Sequence, residues 1–426
     1  MHITARGGLT AGIGYNRRGF AAARALYHDW GVGRSRAAST PRRLAHALRR
    51  QPDKKVPLRT RAMTRPLFAQ VNTAALRANL AQVRSRAPKT QVLAVVKANA
   101  YGHGLMRVLP ALADADGLAI VELDAALELR ASHYTRRILL LEGFFAADEL
   151  PEFAARRLAS VVHHADQVAL LEKAHLERPI EVFLKINTGM NRLGVRAAEV
   201  PALVERLTHC DSVAALRLMS HLARADEEDG LREQVAAFDS ACKGLPYPRS
   251  LANSAGVVRF PEVGGDIVRP GIMLYGATPF PYDTAEMIGV QPVMTLRSQI
   301  IAVQDLKANE SVGYGAAYTA SRAHRIGVIA CGYADGYPRH APNGTPVLVC
   351  GKKVRLAGRP SMDMLTVDLT DVPEARVGSP VVLWGEGLPV DDVASAAATN
   401  GYELLCALAP RVPIVTTSIG RIDLEL

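Results

Sequence analysis

Between about residues 68 and 290 the chain alternates short apolar runs with stretches of helical length. The runs are Gln91–Lys97, Gly117–Glu122, Arg137–Glu142, Leu158–Val162, Glu181–Asn187, Ser212–His221, Arg249–Asn253 and Asp266–Arg269. In the first, Val92 to Val96 are apolar at consecutive positions, as in a strand buried on both faces. Segments such as Asp124–Ala131, Ala165–Ala174 and Glu228–Lys243 separate them. Eight strands alternating with helices predict a (β/α)8, TIM-like barrel; periodicity alone also allows an open doubly wound sheet.

After about residue 292 the texture changes. Short β-type runs follow one another at Met294–Val303, Ile326–Cys331, Pro346–Val349, Met364–Val367 and Val381–Trp384. Gly, Pro and Asn punctuate them, as in Pro342-Asn343-Gly344-Thr345. This pattern predicts a separate all-β domain. The expected division is residues 63–295 for the barrel and 296–426 for the β domain.

Charge modifies this picture at one end only. The net charge is +10, yet residues 1–62 hold fourteen Arg or Lys against Asp29 and Asp53. The rest of the chain is close to neutral, so the basic balance gives no ground for a nucleic-acid surface. The basic stretch lacks a sustained amphipathic period. Asn16-Arg17-Arg18-Gly19-Phe20 faintly resembles a twin-arginine export signal, but Arg24, His28 and Asp29 interrupt the apolar segment that should follow. Three readings compete for residues 1–62, a disordered extension, a targeting segment and a start codon placed too early, and the last is favoured. No run approaches the roughly 20 apolar residues of a membrane span. Five scattered cysteines without a CxxC pair argue against a disulfide framework or a metal site and fit a cytoplasmic location.

The chemistry begins at Lys97. It ends an apolar run and opens Lys97-Ala98-Asn99-Ala100-Tyr101-Gly102-His103-Gly104. An amine beside an apolar floor is desolvated, which favours its neutral, nucleophilic form. A solvent-facing strand end would carry the same residue. The whole stretch resembles the cofactor-lysine signature of the alanine racemases, fold-type III enzymes that hold pyridoxal 5'-phosphate (PLP). The resemblance extends from about Met63, where related racemases begin, to the C-terminus. It favours the barrel over the open sheet and places the strand around Pro66–Asn72 with the β domain.

The resemblance implies a role for each further motif. Lys97 would carry the cofactor as an aldimine and exchange a proton with the substrate. Tyr101 would bind the cofactor phosphate, with Ser254 and the backbone of Gly271 and Ile272. From the residues alone, Ser254 is equally a helix cap and Tyr101 a packing aromatic. Arg269, in Asp266-Ile267-Val268-Arg269-Pro270-Gly271, would donate to the pyridine nitrogen. Its guanidinium stays protonated, so it hands that nitrogen no proton. A weaker electron sink then favours return of the proton to the α-carbon over transamination. Arg192 would meet the substrate carboxylate, held by Lys185, which the family carries as a carbamate. His221 would lie against the pyridine ring, with Leu222 where relatives have an aromatic.

Three residues of the second domain complete the set. Racemisation by two bases needs a group on the opposite face, and the resemblance assigns Tyr333, supplied by the partner subunit. Met362 would help bind the substrate carboxylate, and Tyr402 would narrow the mouth to suit alanine. The implied protein is a homodimeric isomerase with active sites shared between subunits. It would interconvert L- and D-alanine, supplying D-alanine for peptidoglycan or catabolising alanine. A broad-specificity racemase, a non-catalytic PLP-binding protein and a decarboxylase are the alternatives. The β domain argues against the second and Arg269 against the third.

Overall fold

The computed structural model describes residues 64–418 and 421–423. The readings made for residues 1–62 and for Met63 fall outside the described residues. Eight parallel strands form one sheet: β2 (Gln91–Val95), β3 (Gly117–Ile120), β4 (Arg137–Leu140), β5 (Ala159–Val162), β6 (Ile180–Lys185), β7 (Val213–Met219), β8 (Arg249–Ser250) and β9 (Ile267–Val268). Their order is β8-β7-β6-β5-β4-β3-β2-β9. Two backbone hydrogen bonds, Asp266 N to Arg249 O and Arg269 N to Ala252 O, both 2.9 Å, bring β9 back to β8 and nearly close the barrel. β8 and β9 have two residues each, much shorter than their apolar runs. Among the surplus residues, Asn253 and Arg269 lie past the C-terminal ends of these strands and line the site described below.

The strand before the barrel, β1 (Phe68–Asn72), lies outside it. It pairs antiparallel with β10 (Met294–Leu306) and parallel with β18 (Ile414–Ser418), in the same sheet as the later strands. β10 starts at Met294, two residues before the expected start of that domain. A small hairpin, β11 (Ser311–Val312) and β12 (Tyr318–Thr319), projects after it. β13 (His324–Ile329), β14 (Pro346–Val349), β15 (Lys352–Leu356), β16 (Leu365–Asp368) and β17 (Pro380–Trp384) follow, and β19 (Arg421–Asp423) ends the sheet. The order β13-β16-β15-β14-β17-β10, with β10 pairing back to β13, makes a closed antiparallel ring. Closure removes the open edges that would otherwise template aggregation. Tyr337 stacks on Trp384 inside it, and both are buried.

Two helices that strand patterning did not reveal, Val390–Ala396 and Gly401–Cys406, leave this ring. Their apolar positions are filled largely by Ala, Val and Leu, which serve a short strand and a short helix equally well. The second helix is capped by the Asn400 side chain, which accepts from Glu403 N at 3.0 Å.

One buried side chain ties the helix after β1 to the segment between β9 and β10. Asn79, on the helix Thr73–Arg86, is fully buried. Its amide donates to Leu274 O (3.0 Å) and Gln291 O (2.8 Å), and its carbonyl accepts from Gln291 N (2.8 Å). Asn79→Leu would leave two carbonyls and one N–H dry and unpaired. We expect it to destabilise the chain by about 3 kcal/mol, seen as a lower urea midpoint at unchanged slope.

Candidate active site

The C-terminal ends of the barrel strands gather the candidate residues. Lys97 lies two positions beyond β2, Lys185 ends β6, His221 follows β7, Ser254 follows β8 and Arg269 follows β9. The face where barrel enzymes build their sites is set by the direction of the strands.

The turn after Lys97 is left-handed. Ala98, Asn99, Ala100 and Tyr101 all have φ between 52° and 54°. Non-glycine residues pay about 1–2 kcal/mol each for this conformation, and consecutive ones are rare. Local contacts hold the turn. Ala100 N donates to Val96 O and Gly102 N to Ala98 O. The Asn99 carboxamide accepts from Leu105 N at 2.7 Å, and the buried His103 Nδ1 faces the carbonyls of Ala100 and Tyr101 at 3.0 and 2.9 Å. Tyr275 stacks on Tyr101 with ring centroids 4.6 Å apart and donates its hydroxyl to Val95 O at 2.9 Å. Gly102, at φ 78°, packs against the last turn of the helix Gly401–Cys406: a Cβ there would lie 2.2 Å from Leu405 O.

Nine of the sequence-derived site residues line one cavity of about 460 Å³: Lys97, Tyr101, Arg192, His221, Ser254, Arg269, Gly271, Ile272 and Tyr402. Val95, Ala98, Leu141, Asn253 and Cys406 complete its wall. Lys185 lines an adjoining space of about 320 Å³ with Lys97, Arg192, His221, Arg269 and Glu142. Asn253 and Glu142 stand in strand-end segments already singled out. Cys406 had no sequence signal, because its short helix was not anticipated.

The donors fit an anionic aromatic cofactor. Ser254 Oγ accepts from Gly271 N (2.9 Å) and Met273 N (3.4 Å), which leaves its own proton free for a ligand. Tyr101 is kept protonated, because burial pushes its phenol up. Gly271 leaves the space beside that hydroxyl open; a Cβ would come within 2.5 Å of it. Arg269 is buried and donates to Ser250 Oγ, to Ser220 O at 2.6 Å and to Leu251 O at 3.4 Å. Burial lowers it only to about 10, so it remains a cation at neutral pH. Ser254 and Tyr101 would suit a phosphate and Arg269 a ring acceptor, so the residues present fit pyridoxal phosphate, and the cavity is large enough for it.

Burial, then the cations Arg269 and Lys185, lower His221 to about 3, so its ring is neutral. Burial, then Arg269 and Arg192, lower Lys185 to about 8. Arg192 sits on a loop fixed by the pairing of Val195 N with Lys185 O and of Asn187 N with Val195 O, both 2.9 Å. Gly194, at φ 127°, permits this return; a Cβ there would meet Asn187 N at 2.7 Å.

Tyr333 and Met362 do not line this cavity. They lie on the β domain, 37% and 53% exposed. Their segments are docked together by Tyr333 N donating to Ser361 O and Ala334 N to Met362 O, both 3.0 Å. A third side chain of this domain, Tyr314, was not singled out by sequence. It stands between Gly313 (φ 79°) and Gly315 (φ 69°) in the β11–β12 hairpin and is 71% exposed. A tyrosine between two turn glycines is the signal that could have found it. Arg359 flanks the hairpin: a Cβ on Gly315 would lie 3.8 Å from its Nη1.

Residues 71–279 match the family profile described as alanine racemase, N-terminal domain, and residues 293–416 match alanine racemase, C-terminal domain. The chain is 55% identical over 357 residues to an alanine racemase of Nitrosospira multiformis, covering 83% of this chain and 100% of the relative. It is 50% identical to a catabolic alanine racemase of Klebsiella aerogenes over 355 residues, 83% of this chain and 100% of the relative. The crystal structure of the biosynthetic alanine racemase of Pseudomonas aeruginosa superposes with a TM-score of 0.81 at 49% identity, covering 83% of this chain and 99% of that one.

The brace between Gly102 and Leu405 gives a local test. Gly102→Ala combines a disfavoured φ with a backbone clash. We expect it to destabilise the protein by about 1–3 kcal/mol and to shift the helix that carries Tyr402 and Cys406. A fall in melting temperature, with faster labelling of Cys406 by a thiol reagent, would register both effects.

Proposed function

The chain belongs to the alanine racemase family, and from that premise we propose that it interconverts L- and D-alanine with pyridoxal phosphate in the cavity above the barrel. The observation that carries this reading is the convergence of Lys97, the Ser254–Tyr101 phosphate donors and the cationic Arg269 on one cavity. Bound pyridoxal phosphate would supply the electron sink that makes the α-proton of an amino acid removable. Lys97 would hold the cofactor and then take or return the proton on one face of the substrate α-carbon. Arg269, which stays a cation at neutral pH, would offer a ring nitrogen a hydrogen bond but no proton, limiting delocalisation and favouring return of the proton to carbon. Arg192 would meet the substrate carboxylate, and neutral His221 would pack against the cofactor ring without adding charge. Tyr402, 38% exposed and 6.1 Å from Tyr101 between ring centroids, would restrict the mouth to small side chains.

The second base would come from the β domain of a partner subunit in a homodimer. Tyr333 is the candidate from sequence. Tyr314 is favoured by its protrusion: its side chain is nearly twice as exposed and sits on a glycine-flanked hairpin beside Arg359. A group that enters a neighbour's cavity must project beyond its own sheet. In this reading Tyr333 lines the rim and the Met362 backbone assists the carboxylate. The reading places the enzyme in the cytoplasm, whose reducing conditions suit its five free cysteines. The same reversible step serves peptidoglycan precursor supply and alanine catabolism.

Shared sites can be tested by complementation. Lys97→Ala and Tyr314→Phe homodimers should each lose nearly all alanine racemisation. Heterodimers of the two, co-expressed with different tags and purified through both, retain one complete site. They should recover about half of wild-type turnover. Recovery with Tyr333→Phe as partner, while Tyr314→Phe homodimers stay active, would return the base role to Tyr333. No recovery with either would rule out sharing.

Lys185 would carry a carbamate. A lysine lowered to about 8 keeps a much larger neutral fraction at pH 7 than an ordinary lysine. The neutral amine is the form that adds carbon dioxide, and the product anion would offset Arg192 and Arg269. Protein equilibrated with 13C-bicarbonate should show a carbamate resonance that Lys185→Ala lacks. A silent spectrum at pH 8 would mean the amine stays unmodified.

A further inference from the structure

Among the described residues, the most heavily tied carboxylate lies outside the cavity. Asp335 is fully buried at the end of the turn Tyr333–Asp335. It accepts from Arg65 Nη1 (2.7 Å) and Nη2 (2.9 Å), from Arg411 Nε (2.7 Å) and from Gly332 N (2.8 Å). The same two arginines reach the neighbouring loop. Arg65 Nη2 donates to Asp363 O at 2.7 Å, and Arg411 Nη2 to the Asp363 carboxylate at 2.6 Å. Gly332 brings the backbones together: a Cβ there would lie 2.3 Å from both Ser361 O and Met362 O. Burial alone would raise the Asp335 carboxyl, but the hydrogen bonds from Arg65, Arg411 and Gly332 hold it below its ordinary value. The turn that bears Tyr333 and the loop that bears Met362 are thereby one rigid lip.

A burial this complete needs a purpose. A hydrophobic residue would pack the same space without the cost of desolvating a carboxylate. What the charge adds is geometry: one anion fixes Arg65, Arg411 and a backbone N–H at once. The lip contributes nothing to the cavity of its own chain, since neither Tyr333 nor Met362 lines it.

We propose that Asp335 is a positioning residue for the reaction in the other subunit, holding the Tyr333–Met362 lip in the geometry that completes the partner's site. This rests on the shared-site reading above. Asp335 touches neither substrate nor cofactor; it acts through the lip, with Arg65 and Arg411 as its struts.

The test uses full-length Asp335→Asn and, as a milder change, Arg411→Gln. Pyridoxal phosphate is titrated into each apo-protein by fluorescence. Affinity should stay within about twofold of wild type, because the cofactor residues belong to the distant barrel of the same chain. Alanine kcat/KM of the Asp335→Asn homodimer should fall about tenfold or more, the scale expected when a positioning group is displaced. Arg411→Gln should show the same pattern more weakly. The deciding sample is the doubly tagged heterodimer of Asp335→Asn with Lys97→Ala. Its one intact Lys97 faces an intact lip, so it should recover about half of wild-type turnover at wild-type KM. A heterodimer as slow as the Asp335→Asn homodimer would overturn the proposal. So would a loss of cofactor affinity as large as the loss of activity. If the Lys97→Ala heterodimers with Tyr314→Phe and Tyr333→Phe also fail to complement, the shared site falls and this role with it. If one of those recovers and the Asp335→Asn pair does not, only the positioning role falls.

Discussion

Like charge gathered in a small space is the constraint on which this site depends. Lys97, Lys185, Arg192 and Arg269 converge on two adjoining spaces at the top of the barrel, with Glu142 the one acid among the lining residues. Such a cluster is costly without anions, because burial and mutual repulsion both disfavour the charged forms. The depressed values of Lys185 and His221 express that cost, with burial first among the causes and the neighbouring cations next. Burial lowers Arg269 too, but only to about 10, and its guanidinium donates to three acceptors, Ser250 Oγ, Ser220 O and Leu251 O. A site built this way suits negative charge: in the proposed function, a phosphate, a substrate carboxylate and a carbamate.

The backbone meets this demand with strain at one point. Four consecutive left-handed residues after Lys97 cannot be held by local preference, since three are not even Asn or Gly. They are held by the clasp of nearby His103 on two carbonyls and by two tertiary contacts, the ring stack of Tyr101 on Tyr275 and the helix Gly401–Cys406 pressed against Gly102. The β domain therefore supplies part of the barrel's own site through that helix. It also turns a second surface outward, where Asp335 binds the Tyr333 turn and the Met362 loop into one piece.

Much of this was legible in the sequence. The eight apolar runs gave the barrel strands in order, because a parallel strand buried on both faces is written as a continuous apolar stretch. The lysine, arginine and serine motifs at their ends gave most of the cavity, because strand direction alone decides which end faces the site. The basic excess was localised to residues 1–62 by simple counting. Resemblance to the alanine racemases then supplied the roles that residue chemistry left open between packing and catalysis.

Other features were decided only by the fold. No local signal marks Asn79 as the link between its helix and the segment from β9 to β10, since its three partner atoms come from residues about two hundred positions away. The helix carrying Tyr402 and Cys406 escaped notice because a six-residue apolar segment has no distinguishing period. Tyr314 and Tyr333 look alike in sequence, each beside glycine. What separates them is exposure, and exposure is a property of the packed sheet. The sequence determined which side chains could do the chemistry. Only the tertiary structure determined which of them share a cavity and which turn away from it, because those distances depend on packing between segments far apart in the chain.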